Sequence, residues 1–214
     1  MRAPLRHVLI LLASTAVADM GCAPSTPDRG AQEQSAPAIV LLVRHGEKAP
    51  QPGNDQPLSD DGVVRAAALA SALRDAGVTR VITTQWRRTQ QTAAPIAQLR
   101  HLRPVVIPVD LNHVAAYVQA VADTARRGSG VTLVVGHQNT IPAVITALGG
   151  PTIPEPCADD YGDLYVLVID PPASPSLTHA EFGRPHPEHA TSCATPPAAG
   201  SAAPRSLTRS RTAP

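Results

Sequence analysis

Apolar residues in this chain gather into short runs that stop abruptly at charged, imidazole or glycine residues. The first is Ile39-Val40-Leu41-Leu42-Val43, followed directly by Arg44-His45-Gly46-Glu47-Lys48. A run that short and that rich in β-branched residues reads as a buried strand. A second run, Val131-Thr132-Leu133-Val134-Val135, ends in Gly136-His137-Gln138-Asn139, and between the two lies Val81-Ile82-Thr83-Thr84, ahead of Gln85-Trp86-Arg87-Arg88. The intervening segments carry helical spacing. Ser59 is placed to cap a helix running to Asp75, with Val63, Ala67, Ala70 and Leu73 on one face and Gly77 at its exit. Further helices are expected over 88–99, where Pro95 should kink or shorten the helix, and over 114–127 and 140–148. Strands are expected over 79–84 and 105–109, and 164–169 with 176–182 reads as a hairpin at the sheet edge. Strands alternating with helices mark an α/β layered sheet.

In such a sheet, ligands bind at the carboxyl ends of the strands. If the three apolar runs are parallel neighbours, His45, His137, Arg44 and Arg88 meet at one rim. Histidine there can be a nucleophile or a proton carrier, and guanidinium suits an oxyanion, phosphate above all. Gly46 lets the backbone pass close beside the imidazole. Two imidazoles and two guanidiniums around a point describe a pocket for a phosphoryl group.

These segments resemble the histidine phosphatase superfamily, the phosphoglycerate-mutase-like enzymes. Arg44-His45-Gly46-Glu47-Lys48 is similar to the signature that follows the family's first strand, in a variant with Glu-Lys after the glycine. Leu58-Ser59-Asp60-Asp61-Gly62 resembles the opening of the first helix. The segment from Thr84 to Ala93 resembles the second arginine motif, with Arg88 in the phosphate-binding position. Gly136-His137-Gln138-Asn139-Thr140 resembles the second histidine motif. The motifs run in order over 38–187. The resemblance implies a three-layer α/β sandwich, a mostly parallel central sheet with helices on both faces. It also implies a cofactor-free phosphatase acting through phosphohistidine on a small phosphorylated substrate, or on a phosphoprotein. His45 would be the nucleophile, and Arg44, Arg88 and His137 would bind the phosphoryl group.

The family's general acid has no counterpart at its usual places. Gln138 follows the second histidine, and no glutamate lies between Arg88 and His137. Asp110 is the best acidic candidate, with His113 nearby, although Asp110 equally suits a helix cap. Glu47 can orient substrate or pair with Lys48 or an arginine. Asn139 and Thr140 read as simple caps.

Composition narrows the alternatives. Net charge is +1 and aromatics are 2% of 214 residues, which argues against nucleic-acid binding, since that wants a basic surface or stacking platforms. The length suits one domain with tails. Arg2, Arg6 and the apolar stretch 8–18 read as an export signal, with Ala16-Val17-Ala18 fitting a cleavage site. Gly21-Cys22 resembles a lipoprotein start, which would anchor the protein in a cell envelope through a lipid on Cys22, though Asp19 replaces the usual aliphatic residue. The expected organisation is a signal over 1–22, a polar linker over 23–37, the domain over 38–187 and a disordered tail over 188–214. Cys157 and Cys193 can pair in an oxidising compartment, with a free thiol the simpler expectation. His186-Pro187-Glu188-His189 has metal-ligand residue types but reads as tail, and no metal is expected, because arginines beside the histidines repel a divalent cation. A mutase is disfavoured by export and by the missing glutamate. The competing class is a non-catalytic phosphoryl-binding protein with a relic pocket, which the missing acid favours.

Overall fold

A computed structural model describes residues 37–110, 112–127 and 130–184. The expected signal, most of the linker, Cys22, Cys193, the segment 186–189 and the tail lie outside the described residues. In chain order the elements are β1 (Ala38–Arg44), α1 (Asp60–Ala72), β2 (Val78–Thr83), α2 (Arg87–Leu99), β3 (Val105–Val106), α3 (Val114–Arg126), β4 (Gly130–Gly136), α4 (Thr140–Ala147), β5 (Asp163–Ile169) and β6 (Ser176–Glu181).

The strands form one sheet in the order β3-β2-β4-β1-β5-β6. The first four are parallel, while β5 and β6 run antiparallel as an edge hairpin. Strand β4 sits between β1 and β2, so the three apolar runs are parallel neighbours. The period-2 alternation of β1 divides its side chains between two cores. Val40 and Leu42 pack with Val118, Val121, Ile141, Val144 and Ile145 of α3 and α4. Leu41 and Val43 pack with Leu69, Ala70, Ala93 and Ile96 of α1 and α2. The central strands β1 and β4 are apolar on both sides because both faces are covered, as parallel sheets require. The fold is the three-layer α/β sandwich that the sequence implies.

Three local expectations are corrected. Helix α1 buries Gly62, Arg65, Ala66, Leu69 and Ala70, followed by Leu73, whereas Val63 is 57% exposed and Ala67 faces solvent. The first turn is pinned by backbone contacts at Gly62 and by an ion pair at Arg65, described below, and these override the apolar spacing. Helix α2 is not shortened by Pro95 and continues to Leu99. Strand β3 is only two residues long, and both of its valines are exposed.

Candidate active site

Register places the site. Arg44 pairs with Gly136, so His45 and His137 are each the next residue beyond the same rung of adjacent strands. The His45 backbone N–H donates to the Gly136 carbonyl at 3.1 Å and closes the ladder there. The two imidazoles meet edge to face with centroids 5.3 Å apart, within the range of favourable aromatic contacts.

The turn after β1 is fastened from three sides. The Gly46 N–H donates to the Thr92 hydroxyl of α2 at 2.9 Å, and that hydroxyl donates to the Arg88 carbonyl at 2.7 Å. The Glu47 carbonyl accepts from the Ser59 N–H at 2.9 Å. The Glu47 carboxylate accepts from Arg65 Nε at 2.8 Å and Nη2 at 2.6 Å. The expected alternatives for Glu47 thus resolve to an ion pair, with an arginine from the buried face of α1. A Cβ at Gly46 would lie 3.0 Å from the Gly62 carbonyl oxygen, and one at Gly62 would lie 2.3 Å from the Glu47 oxygen. Loop and helix therefore touch backbone to backbone, which only glycines permit.

His45 is 4% exposed, and its Nδ1 lies 2.8 Å from the Gly46 carbonyl oxygen. A carbonyl only accepts, so Nδ1 carries the proton and Nε2 keeps its lone pair. Burial pushes the His45 pKa down from 6.5 to about 2, and the charges of His137, Arg88 and Arg44 reinforce the shift against the Gly46 carbonyl. His137 is pushed down to about 3 by burial, then by Arg88, Arg44 and Lys48. Both rings are neutral at neutral pH. His137 Nε2 lies 3.2 Å from the Thr84 hydroxyl, and its backbone N–H donates to Thr140 Oγ1 at 2.9 Å. Thr140 is thus a local brace for His137, whereas Asn139 makes no side-chain cap bond.

The two arginines are fixed differently. Arg44 donates through Nη1 to the carbonyls of Cys157, Ala158 and Asp160, and its guanidinium lies 4.0 Å from the Tyr161 ring centroid. Arg88 is half-buried, donates through Nη1 to the Asn54 carbonyl at 2.7 Å and lies 5.2 Å from the Trp86 ring. The Nε–H of each is buried without a hydrogen-bond partner. A buried donor left unsatisfied costs about 1–3 kcal/mol, more for a charged group. Burial lowers both guanidinium pKa values from 12.5, but arginine stays protonated in proteins.

Arg44, His45, Arg88 and His137 share the wall of a cavity of about 270 Å³ with Lys48, Trp86, Gln138 and Glu155. That volume sits just below the common range of small-molecule clefts, about 300–1,000 Å³. Asp110 is not brought to this wall. It is exposed, and its carboxylate accepts from the Asn112 N–H at 2.9 Å and lies 2.7 Å from His113 Nδ1. The His113 bond, then the Asn112 bond, hold its pKa below the ordinary carboxylate value. No group of three or more metal-ligating side chains is found among the described residues. Cys157 is disulfide-bonded, and both other cysteines lie outside the described residues. Sequence reading missed Tyr161, Arg65, Thr84 and Glu155. Only Trp86, the sole tryptophan and two residues before Arg88, carried a local signal.

Residues 40–115 match the family model described as histidine phosphatase superfamily, branch 1. Over 75 residues the chain is 39% identical to "Probable phosphoglycerate mutase GpmB" of Yersinia pestis (strain Pestoides F), covering 32% of this chain and 35% of that protein. Its counterpart in Yersinia pseudotuberculosis serotype O:1b (strain IP 31758) matches to the same extent. The match spans about a third of the length of these curated relatives. Among solved structures, the protein histidine phosphatase SixA complexed with tungstate aligns with a TM-score of 0.51 at 20% identity, over 67% of this chain and 96% of that one. Phosphoglycerate mutase from Bacillus anthracis str. Sterne aligns with a TM-score of 0.52 at 14% identity, over 69% and 94%. The fold is the phosphoglycerate-mutase-like one.

Proposed function

We propose that this chain is a histidine phosphatase that hydrolyses a compact phosphomonoester through a phosphohistidine on His45. The observation that carries the reading is that two guanidinium side chains and a neutral imidazole, whose Nδ1 proton is held by the Gly46 carbonyl, line one cavity.

Arg44 and Arg88 hold the non-bridging oxygens and offset the charge that spreads over them in the transition state. The Nε2 lone pair of His45 attacks phosphorus, a P–N bond forms, and the bond to the leaving oxygen breaks. The proton on Nδ1 stays with the Gly46 carbonyl throughout, so the ring does not rotate away. Water then attacks the phosphohistidine, the P–N bond breaks and orthophosphate leaves. His137 hydrogen-bonds the phosphoryl group, its orientation set by Thr84 and Thr140. Metal independence follows from charge, since Arg44, Arg88 and Lys48 around the imidazoles repel a divalent cation. The cavity's small volume favours a compact ester.

The test is turnover of 4-nitrophenyl phosphate by the full chain, with and without chelator, for wild type and His45→Ala. We expect chelator-insensitive turnover in wild type and a loss of at least about a thousandfold in the variant. A well-folded wild type that binds orthophosphate without turning over any phosphate ester would instead establish the non-catalytic phosphoryl-binding alternative.

A further inference from the structure

The reaction so far leaves one side chain on the cavity wall without a task. Glu155, in the connection between α4 and β5, is the sole carboxylate among the described residues that line the cavity. Arg44, Arg88 and Lys48 line the same space, yet Glu155 forms no hydrogen bond or ion pair with any described residue. A carboxylate that shares a cavity with three cations and pairs with none of them contributes little to holding the fold.

Its placement is nonetheless fixed by the site. The Gln138 side chain, next in sequence to His137, donates to the Pro156 carbonyl at 2.9 Å. The Cys157, Ala158 and Asp160 carbonyls accept from Arg44. The residues following Glu155 are therefore tied to the phosphate-binding arginine and to the strand end that carries His137.

Phosphoryl transfer to His45 also has an unmet need. An alkoxide is a poor leaving group, so its oxygen must take a proton as the P–O bond breaks. Asp110 does not supply it, being off the wall and committed to His113. We propose that Glu155 is the general acid–base of this site, a reading that rests on His45 as nucleophile. In the first half-reaction the Glu155 carboxyl gives its proton to the leaving oxygen while the P–O bond breaks and the P–N bond forms. In the second, the resulting carboxylate takes a proton from the water that attacks phosphorus. The P–N bond then breaks, orthophosphate departs, and both His45 and the Glu155 carboxyl return to their starting states.

The experiment compares full-length wild type, E155Q and E155D on phosphomonoesters whose leaving groups run from nitrophenols to simple alkanols. Glu155 is exposed, so the variants are expected to fold, which melting checks. E155Q should keep kcat/KM, which reports phosphoryl transfer to His45 and not the later hydrolysis, within about threefold on the nitrophenyl ester and lose about a hundredfold or more of it on the alkyl ester. E155D should recover part of that loss. An equal loss across the series, or none anywhere, would overturn the assignment. A wild type inactive on every ester would remove the phosphatase reading itself, and the proposal with it.

Discussion

Gly62 is the residue on which the catalytic turn leans. It has no unusual φ, so its requirement is steric: the Glu47 carbonyl oxygen occupies the place of a Cβ, at 2.3 Å. Neither neighbour is a flexible side chain that can swing away. Gly62→Ala should therefore cost about 1–3 kcal/mol, seen as a lower midpoint in urea melts, and should lower kcat because the shifted turn carries His45. Unchanged stability would show that loop and helix slide apart freely. At this scale legibility varied sharply. His45, Arg44 and His137 could be read because each follows directly on an apolar run. The Arg65 partner of Glu47 could not, since an arginine on a helix otherwise reads as surface. Asp110 follows the strand expected over 105–109, but β3 stops at Val106, and the Asp110 carboxylate is exposed to solvent.

Helix α2 begins without a side-chain cap and with no acidic residue in its first turn, which instead holds Arg87 and Arg88. Two cations at the positive end of the helix dipole are unfavourable. The loop 49–57 compensates: Asp55 Oδ1 accepts from the Arg87 N–H at 2.7 Å, and the Asn54 carbonyl holds Arg88. The loop is thus a surrogate cap, and it sets the reach of the phosphate-binding arginine. Asp55→Ala should cost about 1 kcal/mol of stability. It should raise KM several-fold and spare kcat, because the supports of His45 are untouched; steady-state kinetics separates the two effects. Element existence was legible throughout, since each segment keeps its own period. The rotation of α1 was not, because backbone contact at Gly62 and the Glu47–Arg65 pair decide it.

The whole domain carries an acid sensitivity built into its centre. His45 and His137 have folded-state pKa values of about 2 and about 3, below the ordinary 6.5. Between those limits the unfolded chain binds more protons than the folded one, so stability falls as pH drops below about 6.5. Each histidine contributes a slope of at most about 1.4 kcal/mol per pH unit. Melts from pH 7 to pH 4.5 should show this slope, and His137→Asn should flatten it; identical profiles would refute the buried-neutral assignment. Orthophosphate should raise the whole curve by binding only the folded form. The strand order was legible only as a condition, that three runs be neighbours, because nothing local states that β4 lies between β1 and β2. That insertion also dictates timing. The strands ending at Arg44 and Thr83 have no common partner until β4, some 50 residues beyond β2, slides between them. Such distant pairing is slow to form, and a chain halted before β4 has no sheet to hold the arginines together. Recovery of phosphate affinity during refolding should therefore lag behind helix formation, making phosphate binding a clock for the last step of assembly.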